Sequence, residues 1–190
     1  MRRTSLALAV ALAITFMAGC DHATESTQPD LAPVPTGIAM DRGGVVDRMV
    51  SMLDACDPTT FDAAVGPGTC LRNGGVTFDH FIAQLQKHGK AGAWAFDPPR
   101  IGAKVGQTLL ATNRGGEVHT FTEVEEFGGG IVPDLNNLSG NPVPAPECLA
   151  LGAGDFIPPG GTTSDEIEEP GVEHYQCCIH PWMRLTVVTR

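Results

Sequence analysis

The run Cys177-Cys178-Ile179-His180-Pro181-Trp182-Met183 places a thiol, an imidazole and a thioether in the order Cys-x-x-His-x-x-Met. Three soft or borderline ligands on one short loop suit copper. A plane of two imidazoles and one thiolate with a weak axial thioether is an arrangement for one-electron transfer. Such a set needs a second histidine from elsewhere in the fold. The natural donor is His119, in Glu117-Val118-His119-Thr120-Phe121-Thr122.

Two strands are expected to hold the loop, one over His174 to Cys177 and one over Leu185 to Thr189. His119 must then lie on a neighbouring part of the same sandwich. With these residues in place, the chain resembles the cupredoxin family of type 1 (blue) copper proteins. Its ligand loop is of the amicyanin or plastocyanin kind, Cys-x-x-His-Pro-x-Met, and the likeness covers roughly residues 91–190. The resemblance implies an all-β fold, a Greek-key sandwich, with His119, Cys177 and His180 as equatorial ligands of one copper ion and Met183 as the axial one. It also implies a backbone donor to the Cys177 sulfur at Thr120. In such relatives the second loop histidine lies at the surface in an apolar patch, which would make His180 the electron port and Pro181 and Trp182 contacts for a partner.

Cys178 departs from that pattern, since a Ser or Thr is expected there. Adjacent side chains on a strand point to opposite faces, so only one of Cys177 and Cys178 can reach a metal, and the spacing to His180 favours Cys177. Singly, each of these residues is more often structural than a ligand. Their joint order in a β-rich stretch carries the copper reading.

The chain has 190 residues and a formal net charge of −10. Without Arg2 and Arg3 of the leader, 10 basic residues face 22 acidic ones. That balance excludes nucleic acid as a partner and favours a basic protein, here a redox partner. Glu123, Glu125, Glu126 and Asp165 to Glu169 carry much of the acid, and any one of these runs can equally be a solvated face.

Residues 1–19 read as an export signal, with Arg2 and Arg3 before an apolar stretch from Leu6 to Met17 that is too short to span a bilayer comfortably. Met17-Ala18-Gly19-Cys20 resembles a bacterial lipobox, which implies lipidation at Cys20 and a membrane-anchored protein of the periplasm or cell envelope. Six cysteines fit an oxidising compartment. With Cys20 lipidated and Cys177 on the metal, Cys56, Cys70, Cys148 and Cys178 remain. Three pairings are open. Proximity favours Cys56 with Cys70 and Cys148 with Cys178, against a strained vicinal Cys177–Cys178 bridge that would abolish the site.

Residues 20–39 lack hydrophobic periodicity and read as a flexible tether. Residues 40–90 are expected to form a small helical extension packed on the β domain, because about fifty residues rarely bury enough surface alone. Val45, Val46, Met49, Met52 and Leu53 recur at helical spacing, as do Phe78, Phe81, Ile82 and Leu85, with Thr77 as N-cap and Gly89 as stop. From Trp94 onward, short alternating segments punctuated by Gly and Pro predict a sandwich over residues 91–190. The long stretch from Gly128 to Pro146 reads as an irregular crossing between sheets.

The expected function is a one-electron carrier rather than an enzyme. The alternatives are a copper-binding or copper-delivery protein without redox turnover, and a metal-free domain whose cysteines are all bridged.

Overall fold

The computed structural model describes residues 47 to 190, so the export signal, Cys20, the tether, Val45 and Val46 lie outside the described residues. The β-rich half follows its alternation. Strand β8 (Arg184–Thr189) buries Leu185, Val187 and Thr189 and leaves the residues between them half-buried. Burying a side chain such as Leu185 or Val187 contributes about 1.5–3 kcal/mol.

Eight strands form two mixed four-stranded sheets. The first, in order β2 (Ala95–Asp97), β1 (Arg48–Leu53), β4 (Thr108–Asn113) and β6 (Thr162–Glu166), pairs β1 with β4 in parallel. In the second, β3 (Arg100–Ala103) lies parallel to β8, which pairs with β7 (Gly171–Gln176), and β7 with β5 (Thr122–Val124). Inward residues of both sheets belong to one apolar cluster. Val50, Met52, Phe96, Leu109 and Ala111 come from the first, and Ile101, Ala103, Tyr175, Leu185 and Val187 from the second. The chain is a β-sandwich.

Two expectations for residues 40–90 are corrected. Arg48–Leu53 is a strand, not a helix: Val50 and Met52 are buried while Met49 is 54% exposed, a period of two. A short apolar run satisfies either period, and hydrogen bonding to β2 and β4 on both sides decides for the strand. The segment is therefore no separate extension, because β1 is an interior strand of the first sheet. What stands out from the sandwich is the connection from β1 to β2, and that is helical.

Helix α1 (Pro58–Ala64) begins where Asp57 Oδ1 accepts the Thr60 N–H at 2.9 Å and Pro58 opens the first turn. Helix α2 (Phe78–His88) has Thr77 as N-cap and ends at Gly89, whose φ of 68° is left-handed. An aromatic cluster binds these helices to the sandwich. Phe61 lies 5.3 Å from Phe78 and 5.8 Å from Trp94, and Phe81 lies 4.6 Å from Trp94, ring centre to ring centre. Disulfides join Cys56 to Cys70 beside α1 and Cys148 to Cys178 beside the ligand loop. The long crossing after Gly128 carries a third short helix, α3 (Pro133–Leu138).

Candidate metal centre

The β7–β8 loop closes on itself. The Cys177 N–H donates to the Met183 carbonyl at 3.1 Å and the Met183 N–H to the His180 carbonyl at 2.9 Å. This turns Cys177 and His180 toward the same interior point. His119 is anchored from the other side by two backbone bonds with Ile157. The three donors lie within 4.8 Å of one another, and Cys177 Sγ stands 3.7 Å from Nδ1 of His119 and 3.7 Å from Nδ1 of His180. All three residues are buried.

The neighbouring cysteine points elsewhere, although both residues lie beyond the end of β7 at Gln176. Cys178 sits in a second apolar cluster with Val124 and Ala145, bonded to Cys148, while Cys177 is the free thiol among the described cysteines. Met183 is fully buried in the same cluster as Cys177, tied to it through the backbone. The Thr120 N–H donates to Cys177 Sγ at 3.4 Å, and the Thr120 hydroxyl accepts the Cys178 N–H at 2.8 Å. Both ends of the sulfur-bearing segment are thereby fixed.

Behind each imidazole stands a carboxylate. Asp54 Oδ2 lies 2.9 Å from Nε2 of His119, and Asp54 also accepts the backbone N–H groups of Gly116 and Glu117. Glu117 Oε2 lies 3.7 Å from Nε2 of His180 and accepts the indole N–H of Trp94 at 2.5 Å. Such outer partners fix which ring nitrogen faces a metal. These acids escaped the sequence reading. Glu117 precedes His119 by two, the spacing of one strand face, which is a usable signal; Asp54 lies 65 residues away and has none.

Burial and neighbours shift the charges together. Burial alone would raise Asp54, but His119 and the backbone donors bring it down to about 2. Burial opposes charge on His119 too, and Asp54 and the Cys177 sulfur outweigh it, raising the imidazole to about 9. For Cys177, burial pushes the thiol up and the two imidazoles pull it well below its usual range. Glu117 is raised, chiefly by burial.

The donor set fits a metal ion. An ion bonded at about 2.3 Å to sulfur and about 2.0–2.1 Å to nitrogen in a trigonal plane separates those atoms by roughly 3.7 Å, the spacing found here. Thiolate with two imidazoles suits copper among the common ions. The second cluster of potential ligands, Asp54, Cys56 and Glu117, offers no thiolate because Cys56 is in a disulfide.

One expectation about the surface fails. His180 is 2% exposed and Pro181 is buried, so neither presents an edge to a partner. Trp182 is half-buried, 5.5 Å from the His180 ring and 5.9 Å from Phe81 of α2. Trp182 and Glu117, backed by α2 and Trp94, cover the imidazole that the resemblance leaves open.

No protein-family model matches the chain, and no curated protein matches it. Among solved structures, a purple cupredoxin from Nitrosopumilus maritimus is 17% identical over 76% of this chain and all of its own, with a TM-score of 0.43. A copper(I) amicyanin mutant is 22% identical over 53% of this chain and 76% of its own, at 0.35. A reduced amicyanin mutant is 25% identical over 48% of this chain and 70% of its own, at 0.31. Two four-stranded sheets around one core make the described residues a β-sandwich, with a buried His–Cys–His group beside the closing loop.

Proposed function

We propose that this protein is a type 1 copper protein that carries single electrons in the bacterial cell envelope. The observation that supports this best is the equal 3.7 Å spacing from Cys177 Sγ to the two imidazole Nδ1 atoms. His119, Cys177 and His180 would hold the ion, with the Met183 thioether as a further, weaker sulfur ligand. Copper bound there supplies a one-electron change between Cu(I) and Cu(II). The chain supplies rigidity and exclusion of water. The loop is closed by two backbone hydrogen bonds, the sulfur is held by the Thr120 N–H, and the Cys148–Cys178 bridge braces the loop from its far side.

The same reading takes the protein to be exported and anchored through a lipid on Cys20, acting as a carrier without a reaction of its own. A basic redox protein is the partner we infer. Glu123, Asp165, Glu166, Glu168, Glu169 and Glu173 line one open hollow around the Tyr175 hydroxyl, and the net charge speaks against nucleic acid. Copper delivery is the weaker reading, since a deeply buried ligand set disfavours handover.

Copper(II)-loaded protein is expected to show an intense thiolate charge-transfer band and a type 1 electron spin resonance spectrum, both lost in Cys177→Ser. A colourless wild-type complex would falsify the proposal. Rapid transfer of Cu(I) to an acceptor without electron exchange would favour delivery.

A further inference from the structure

Glu117 joins Trp94, and through it the aromatic cluster of the helical insertion, to the metal centre. Its Oε2 accepts the Trp94 indole N–H at 2.5 Å and stands 3.7 Å from Nε2 of His180, an ion-pair distance rather than a hydrogen bond. Trp94 is in turn wedged against Phe61 and Phe81 of the two helices. On the far side of the site Asp54 accepts the Glu117 N–H, so the acid is held at its backbone and at its side chain.

We propose that Glu117, pinned by Trp94, is a positioning residue for His180: it holds the ring with Nε2 toward the carboxylate and Nδ1 toward the Cys177 sulfur. The chemistry is that of a buried carboxyl group facing a ring nitrogen. A ring nitrogen facing a carboxylate is the one that carries the proton, which leaves the other nitrogen with its lone pair free for a metal. The arrangement makes the insertion part of the electron-transfer centre. Its fit helps to set the angle of an imidazole that otherwise packs on the His119 ring and on Trp182 of its own loop. A negative group behind that ring also favours the more positive state of a bound ion, and so lowers the reduction potential.

The proposal rests on the copper reading, and its test separates the two. In the metal-free full chain, nitrogen-15 histidine spectra are expected to show the His180 proton on Nε2. Glu117→Ala should mix the two tautomers, and Glu117→Gln, which keeps an oxygen facing the ring but not the charge, should disturb the wild-type pattern less. In copper-loaded protein, Glu117→Gln should retain the type 1 spectrum but raise the reduction potential. Glu117→Ala should in addition release copper about 10–100-fold more readily. A His180 proton on Nδ1 in the wild type, or a potential unchanged in Glu117→Gln, overturns the role given to Glu117. If Glu117→Ala fails to fold, Glu117→Gln alone decides by those two readouts. A wild-type protein without a thiolate band defeats the copper reading instead, and the tautomer result still stands or falls by itself.

Discussion

Asp54 Oδ2 and His119 Nε2 meet at 2.9 Å across 65 residues of chain, joining the end of the first strand to the metal centre. The carboxylate is 1% exposed and also accepts three backbone N–H groups, from Cys56, Gly116 and Glu117. It builds the segment leading into His119 as well as orienting the ring.

Asp54→Ala should therefore destabilise the metal-free protein by about 3 kcal/mol or more, because three backbone donors and a ring nitrogen lose their acceptor, each at about 1–3 kcal/mol. Asp54→Asn keeps one acceptor oxygen and should cost less. Urea unfolding of both variants measures the difference, and equal midpoints for Asp54→Ala and wild type would refute the role.

The same pair sets a pH window for the metal-free fold. Asp54 is depressed from 3.8 to about 2, so the stability it brings is present above pH 3.8 and is lost as pH falls toward 2. His119 is raised from 6.5 to about 9, so its share is fully present below 6.5 and is lost as pH climbs through 9. Stability should plateau between roughly pH 4 and 6.5 and fall on both sides, the acid limb by about 2 kcal/mol. The two limbs share one interaction and are not additive. Thermal midpoints against pH would show the plateau, and a flat alkaline limb would contradict it.

The two tryptophans near His180 should respond differently to the same truncation. Trp94 donates its indole N–H to Glu117, while the buried Trp182 indole N–H finds no hydrogen-bond partner among the described residues. Both lose ring volume on replacement by Phe, so the contrast isolates the hydrogen bond. Trp94→Phe should cost at least about 1.5 kcal/mol more than Trp182→Phe, since it strands a buried carboxylate. Chemical denaturation of the two variants settles the order, and a larger loss from Trp182→Phe would reverse the argument.

Gly130 lies where the long crossing passes the ligand loop. A Cβ there would sit 1.8 Å from the Cys178 carbonyl oxygen, and that carbonyl accepts the Ile131 N–H at 2.7 Å. Backbone cannot yield as a flexible side chain does. Gly130→Ala should cost about 3 kcal/mol and displace the residue next to Cys177, altering the charge-transfer band of copper-loaded protein. An unchanged melting point together with an unchanged band would count against the close approach.

Much of the site was legible because its chemistry is local. The Cys-x-x-His-x-x-Met spacing lies in one short loop, the alternation of Leu185, Val187 and Thr189 marks the strand that holds it, and Thr77 and Gly89 bracket α2 by their own conformational preferences. The choice of Cys177 over Cys178 rested on expected strand alternation, yet both residues lie in the loop beyond β7, where the Cys148–Cys178 bridge takes the second sulfur away. What tertiary structure alone decided is everything that depends on partners remote in the chain. Arg48–Leu53 carries an apolar pattern compatible with either period, and its pairing with β4 made it a strand. Asp54 has no neighbour in sequence that marks it as the support of His119. His180, read as an exposed port, is buried because a helical insertion folds its aromatic cluster over that end of the sandwich. Ligand type and spacing follow from bonds along the chain, whereas burial and charge pairing follow from which surfaces meet once it folds.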